Sequence, residues 1–404
     1  MHLFLALGRS GWGETILGVE LARDLVRLGE AVRFVAHVSM APVLAGGPWD
    51  CEFVGDGPGP RLSTRLSAHI ARHRAQSVVL VDFAVATRSL ERLGVDPADL
   101  LSYGVPVIAL DSWNSRVTGR EMDVYGRRTD VMSPLIDDLR HLLVPSPLSA
   151  PVAAPGVYGA LPPPLSPAAH LRDATRQRLG LTRGDKVVLV CTATWQEPGY
   201  LATDPVRRGV SLAGRELICL YTRMLGADVH LVHVGPTRFE ASGLLGDNYH
   251  RLPPMPPHEF AELVPGVDLL VSLNISATTV AQAVANGVPA LVLGCDGASG
   301  ERARARLGPD PLLLDWAARH LPLYPFDLWP LGLRRFLAPL LDRNPYKDVV
   351  NQTDVLDADR FHAVASALLR DGDARHRYRQ DAHDYTGAVR DLPSGGEVLL
   401  SFLH

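Results

Sequence analysis

Between Pro145 and Pro167 the 404-residue chain carries eight prolines, at 145, 147, 151, 155, 162, 163, 164 and 167. Proline has no backbone N–H and a fixed φ, so such a density belongs neither to a helix nor to a central strand. The stretch reads as a linker, and on each side of it the same grammar begins afresh: a short apolar run, a loop of small residues, an amphipathic helix. Residues 2–7 are apolar, and Gly8 to Gly13 form a loop. Residues 15–28 then set Leu17, Leu21, Leu25 and Leu28 on one helical face, Gly29 fits the stop, and Val32 to Val38 is the next strand. Strand, helix and strand in that order predict a parallel pair joined by a right-handed crossover. Ser77–Asp82 and Val105–Asp111 repeat the pattern, each ending in Asp where ligands of open α/β sheets collect.

After the linker, strands are expected at Lys186–Cys191, Val229–Val234, Val267–Leu273 and Val288–Leu293, with helices around Glu216–Leu225 and across Thr278–Ala285. The expected fold is therefore α/β: two Rossmann-like, doubly wound parallel-sheet domains facing a cleft. Residues 1–144 and 168–322 would form the domains, 145–167 the linker, and 323–404 a helical segment packing back across both.

Hydrophobic residues at 47% and charged residues at 21% match a globular protein rather than a disordered one. A net charge of −4 gives no global pull toward nucleic acid or membranes. Only two of the 40 cations are lysines, Lys186 and Lys347, a skew that reads as GC-rich bacterial coding. Cys51, Cys191, Cys219 and Cys295 form no CxxC pair and read as free thiols of a reducing compartment. With no apolar run of about 18 residues, a cytoplasmic protein without membrane insertion is expected.

The first loop, with Gly8, Gly11 and Gly13, is G-x-x-G-x-G rather than the dinucleotide fingerprint. The following strand ends at His37-Val38-Ser39 without the acid that binds an NAD ribose, which argues against a dehydrogenase. Neither lysine follows a glycine, so there is no Walker A loop. G-x-S-x-G and H-E-x-x-H are missing, which argues against a lipase-like hydrolase and a zincin. Asp357-Ala-Asp359 and Asp371-Gly-Asp373 read as helix starts rather than as a metal site.

The segment Asp268-Leu-Leu-Val-Ser-Leu-Asn-Ile-Ser-Ala-Thr-Thr-Val-Ala-Gln-Ala-Val-Ala-Asn-Gly-Val-Pro289 resembles the donor-site motif of GT-B glycosyltransferases. In that motif a strand ends in a small-residue loop, here from Asn274, and a helix starts under the donor phosphates. Independently of the resemblance, the N–H groups of Ala277, Thr278 and Thr279 and the hydroxyls of Ser276, Thr278 and Thr279 suit an anion at a helix N-terminus. The alternative is a plain hydroxyl-capped helix. The ribose-binding carboxylate implied by the resemblance falls at Gln282, which can hydrogen-bond a hydroxyl but cannot make the charge-assisted pair. Thr192-Ala-Thr-Trp-Gln196 stands where the fold lines the donor phosphates, which adds Thr192 and Thr194.

In the first domain the resemblance implies a Gly-rich loop with a histidine base. Here Gly11, Trp12 and Gly13 occupy the loop, Trp12 stands near the expected histidine, and Glu14 is the nearest replacement. Glu14 reads either as an ionised carboxylate that takes the acceptor proton or as a first-turn acid that stabilises its helix. Asp82, Asp111 and His37, each ending a strand, read as acceptor-orienting groups or as loop caps.

The resemblance implies transfer of a glycosyl group from a nucleotide-diphosphate sugar, a co-substrate, to a small-molecule acceptor, without metal or cofactor, in a setting such as natural-product biosynthesis. The departures at Trp12 and Gln282 keep two alternatives open. One is a scaffold recruited to aminoacyl-tRNA, for which Arg61, Arg65, His69, Arg72 and His73 offer a basic stripe. The other is a non-catalytic partner protein.

Overall fold

The computed structural model describes residues 1–9, 12–55, 62–161, 168–295, 300–321, 326–328 and 330–404. The first sheet comprises β1 His2–Ala6, β2 Val32–His37, β3 Asp50–Val54, β4 Ser77–Leu80, β5 Val107–Leu110, β8 His141–Ser146 and β9 Val157–Gly159. A separate antiparallel hairpin pairs β6 Glu121–Val124 with β7 Arg127–Asp130. The sheet is parallel throughout, in the order β3-β2-β1-β4-β5-β8-β9. Leu3, Phe4, Leu5, Val78, Val79 and Leu80 are fully buried, because helices cover both faces of a parallel sheet; this is why its strands read as unbroken apolar runs.

The second sheet, also parallel, has the order β12-β11-β10-β13-β14-β15. Its strands are β10 Lys186–Cys191, β11 Val229–Val234, β12 Tyr249–Leu252, β13 Leu269–Ser272, β14 Ala290–Gly294 and β15 Gln352–Asp354. The helices that matter below are α1 Gly13–Arg27, α2 Leu62–His73, α3 Phe83–Arg92, α4 Ala168–Arg178, α5 Pro205–Met224, α6 Thr278–Ala285, α7 Leu333–Leu341, α8 Ala358–Arg370, α9 Gly372–Arg390 and α10 Gly395–Ser401.

Two segments depart from expectation. The proline-rich stretch is not only a connection, since Pro145 lies in β8 and residues 157–159 form β9. The prolines are tolerated because β8 changes partner along its length: residues 141–143 bond β5, whereas Val144, Pro145 and Ser146 bond only the edge strand β9. Residues 162–167, with four of the eight prolines, lie outside the described residues. The C-terminal segment is not purely helical either, because it supplies β15 to the second sheet. It does return to the first sheet: α10 packs on α1, β8 and β9, and α9 touches both β9 and α6. The two D-x-D strings behave as helix starts, with Asp357 accepting from Arg360 N and Asp371 from Asp373 N at the heads of α8 and α9.

A charged cluster at the N-terminal edge of the second sheet escaped the sequence reading. Asp268, fully buried just before β13, accepts from Arg172 Nη2 at 2.5 Å, Arg176 Nη2 at 2.6 Å and the Val187 backbone N–H at 2.9 Å. Arg375 of α9 stands 3.6 Å away, and burial lowers its pKa. The cluster therefore ties α4 and α9 to the strand that leads into the donor-like loop.

Candidate functional site

In a doubly wound sheet the loops diverge where strand order reverses, leaving a crevice at the C-terminal ends of the strands. The first sheet reverses between β1 and β4 and the second between β10 and β13. Glu14 follows β1, Asp82 follows β4, Thr192 follows β10, and Asn274 to Thr279 follow β13. The two crevices face each other through the heads of α1 and α6: a Cβ on Gly13 would lie 3.2 Å from Thr278 Oγ1 and 3.3 Å from its Cγ2. Glycine at 13 is what lets the two helix heads come this close.

Neither head is capped by a side chain. Trp12 is the N-cap of α1 and Ala277 that of α6, and neither makes a side-chain cap hydrogen bond. The hydroxyl-capped alternative for α6 is thus corrected. Ser276 Oγ instead donates to Asn274 Oδ1 at 2.8 Å, and the Ser276 backbone N–H donates to the same oxygen at 2.9 Å, which shapes the loop. First-turn N–H groups of α6 are left for an anion at the gap between the sheets, whereas in α1 the Glu14 N–H is met by its own carboxyl. Along α6, Thr278, Thr279 and Gln282 are half-buried while Val280, Ala281, Ala283, Val284 and Ala285 are buried. Gln282 lies one helical turn beyond Thr278, on the same cleft-facing side. Thr279 also hydrogen-bonds the Cys191 thiol, which burial pushes up to about 12, making Cys191 an unreactive floor.

On the first-domain side Glu14, Asp82 and Asp111 line one pocket with Phe83, Leu110, Ser112, Trp113 and Met132, and it has room for about one water. The three acids differ in their surroundings. Asp111 is committed to its own loop: it accepts from Ser115 N at 2.6 Å, Ser115 Oγ at 2.7 Å and Trp113 N at 3.3 Å, so it holds the short Ser115–Thr118 helix. Asp82 caps α3 through Val85 N at 3.3 Å and does so at φ +55°. That left-handed conformation is uncommon for a residue with a side chain and tends to persist at working sites. Glu14 accepts from its own backbone N–H in the first turn of α1. Burial raises the pKa of all three, and for Asp82 the charges of Glu14 and Asp111 add to it. The rise favours the neutral acid at both Glu14 and Asp82, and Asp82 is displaced well above the ordinary carboxylate range.

That shift has a consequence for stability. A carboxyl with a higher pKa folded than unfolded contributes stability that is complete below the unfolded value near 4 and is lost as pH rises through the folded value. Asp82→Asn, which fixes the neutral form and keeps an oxygen for Val85, is expected to raise the melting midpoint at pH 8 by about 2–4 °C. It is expected to do nothing below pH 4. A pH series of thermal melts checks this; a lower midpoint at pH 8 would contradict it.

His37 stays outside the acid pocket. Its Nδ1 is 2.8 Å from Ser39 Oγ and accepts from Ser39 N, and Ser39 Oγ donates to Arg9 O, so His37 braces the loop after β2. Gly11 lies outside the described residues. Trp12 is half-buried and packs with Ile16 and Leu17 against the core beneath α1. Thr194 is exposed at the start of a single 3-10 turn.

The Thr192 hydroxyl is spent inside the second domain, in a chain whose direction can be assigned. Tyr249 Oη accepts from Phe239 N and so donates to His233 Nδ1 at 2.8 Å. Burial lowers His233 to about 3, so the ring is neutral and its Nε2–H donates to Thr192 Oγ1 at 2.8 Å. Thr192 in turn donates to Glu197 Oε1 at 2.9 Å, and buried Arg215 pairs with the same oxygen at 2.7 Å. This network fixes the loop after β10, and no sequence spacing announced it. On α2, Arg65 and His69 of the basic stripe both bond Glu52 of β3, so these cations are engaged by their own domain; Arg61 lies outside the described residues.

Residues 21–404 match a family described as a family of unknown function, DUF6365. The chain belongs to DUF6365. No curated protein sequence matches this DUF6365 chain. Among solved structures it is similar to the glycosyltransferase VinC in complex with dTDP, at TM-score 0.54 and 15% identity over 100% of this chain and 98% of that one. It is also similar to Phytolacca americana UGT2 complexed with UDP-2-fluoro-glucose and pterostilbene, at TM-score 0.54 and 13% identity over 100% and 98% of the two chains. Anabaena Alr3699/HepE in complex with UDP and glucose aligns at TM-score 0.53 and 11% identity over 99% and 97%. At these identities the likeness gives the fold, and the fold is GT-B.

Among the described residues no helix is long and apolar enough to cross a membrane, and all four cysteines are free. The region after Asp111 folds into the Ser115–Thr118 helix and the β6–β7 hairpin. Both pack on α7, and Trp113 meets Phe336 of α7 edge-on at 5.6 Å.

Proposed function

We propose that this DUF6365 protein is a transferase that moves a glycosyl group from a nucleoside diphosphate sugar to a hydroxyl of a small-molecule acceptor. The observation that carries the reading is the juxtaposition of two uncapped helix heads, α1 and α6, with a carboxyl pair, Glu14 and Asp82, on the first turn of one of them and beside it. The helix heads suit a diphosphate, whose developing negative charge they offset as it leaves. Glu14 suits the acceptor hydroxyl: burial raises its pKa, which makes its carboxylate a stronger base, and Asp82 beside it is raised well above the ordinary carboxylate range. In the step, the acceptor oxygen bonds the anomeric carbon, the bond to the diphosphate breaks with its electron pair going to the diphosphate, and the acceptor proton passes to Glu14. The reaction so written needs no metal or cofactor, and Gln282 offers its amide to a donor hydroxyl. The structural neighbours that carry dTDP or UDP support the donor class. The free thiols fit a reducing, cytoplasmic setting. A natural-product acceptor is the class proposed.

The test is turnover. The protein is incubated with UDP-, dTDP- and GDP-sugars, with water and with phenolic and polyhydroxyl acceptors, and released nucleoside diphosphate is measured. Release from one nucleotide class with a matching glycosylated product supports the reading; no release from any donor overturns it.

A further inference from the structure

We infer that Arg334 supplies the full positive charge that holds the donor diphosphate, an inference that rests on the reading above. Two helix heads contribute only about half an elementary charge each, against roughly two negative charges on a nucleoside diphosphate. Glu14, Asp82 and Asp111 line the neighbouring pocket and repel an anion wherever they are ionised. A cation at the C-terminal edge of the second sheet would offset the remaining charge.

Arg334, in the first turn of α7, meets that need. A Cβ on Gly294 would stand 2.9 Å from Arg334 Nη1 and 3.0 Å from its Cδ and Cζ, so the guanidinium end rests against the terminus of β14. Gly294 ends β14, which pairs with β13 through Ser272 and Val292; the donor-like loop Leu273–Ala277 leaves the adjacent strand end. Arg334 is exposed, and its charge acts on the buried carboxyl of Asp327, pulling its pKa down against the effect of burial. Its neighbour Arg335 is committed to buried Asp327 at 3.4 Å. Phe336, two positions on and hence on the opposite helix face, meets Trp113 of the first domain. Helix α7 thus anchors to one domain while turning Arg334 to the strand ends of the other. The arginine is backed by packing and solvated at its charged end, a pre-organised seat for phosphate oxygens.

Arg207 and Arg208 on α5 are the competing cations at this edge. Arg207 pairs with Asp204 at 3.0 Å, and Arg208 is exposed in the first turn of α5, with no comparable backbone seat. The experiment is calorimetric titration of UDP, dTDP and GDP, and of uridine, thymidine and guanosine, into wild type, Arg334→Ala, Arg334→Lys and Arg208→Ala. Arg334→Ala is expected to weaken the bound diphosphate by about 10- to 100-fold, the size of a lost charge-assisted contact, and to flatten its salt dependence. Nucleoside binding is expected to be unchanged, Arg334→Lys to recover part of the affinity, and Arg208→Ala to stay within about twofold. Gly294→Val, which fills the seat without removing the charge, is expected to weaken the diphosphate as well. If wild type binds a diphosphate and Arg334→Ala binds it equally, this inference falls while the proposed function stands. If wild type binds none of the three diphosphates, both fall.

Discussion

Glu14→Gln is expected to lower kcat by about 10²- to 10⁴-fold, the usual contribution of a positioned general base, while leaving nucleotide affinity within about twofold. Glutamine keeps the size and the hydrogen-bonding oxygen of the side chain, so the pocket retains its shape and loses only the capacity to take a proton. Asp111→Asn serves as the contrast. Asp111 has both oxygens engaged by Ser115 and Trp113, so its loss should act on the Ser115–Thr118 loop and on thermal stability rather than selectively on kcat. Steady-state nucleoside diphosphate release with a productive donor and acceptor separates the two. Equal kcat for wild type and Glu14→Gln would remove Glu14 from the chemistry and return it to the role of a first-turn acid. In wild type, kcat is expected to rise with pH as the Glu14–Asp82 pair gives up its proton, since both groups are raised by burial. That limb should vanish in Glu14→Gln.

The second large effect is structural. Asp268→Ala is expected to destabilise the protein by about 3–5 kcal/mol, the cost of leaving buried charge without its partner. Arg176 is buried and bonds Asp268 Oδ2 together with the carbonyls of Thr182 and Asp185, and Arg375 sits half-buried on the other side. Removing the carboxylate strands these cations in a low-dielectric space. It also takes away an acceptor from the Val187 N–H at the start of β10. Because Arg375 belongs to α9 and Asp268 leads into β13, the loss is expected to loosen the C-terminal return against the second sheet before the sheet itself. Denaturant unfolding measures the energy. An effect below about 1 kcal/mol would mean that the cluster is replaceable by solvent.

Much of the fold was legible because parallel strands are buried on both faces. Lys186–Cys191, Val229–Val234 and Thr278–Ala285 occur at the expected bounds, and strand ends at Asp82 and Asp111 indicated the crevice. What stayed hidden had no local signature. Pro145 argued against a strand, yet an edge position removes the penalty, and that position is a property of the whole sheet. The β6–β7 hairpin turns on Tyr125-Gly126, both at positive φ, but its strands have only 4 residues each and Arg127–Asp130 is exposed throughout, so Met122 and Val124 alone mark a covered face. In the site, Glu14 and the Thr278 helix head could be named from sequence, whereas their approach through Gly13 could not. Arg334 lay in an unremarkable helix, and only Gly294, some forty positions earlier, gives it a place. For Asp268 there was a signal to use: an acid at the mouth of an apolar strand, and Arg172 and Arg176 one helical turn apart.

The central claim is that a nucleoside diphosphate lies between the heads of α1 and α6, and a thermal-shift titration with UDP, dTDP and GDP tests it most directly. The comparison is Gly13→Val, whose side chain would run into Thr278 and close the gap. At 100 times its dissociation constant a ligand adds about 2.7 kcal/mol, a rise of several degrees in the midpoint. Wild type is expected to show that rise with one diphosphate class and Gly13→Val to show none while melting cooperatively on its own. A rise of equal size in both proteins, or in neither, would contradict the account.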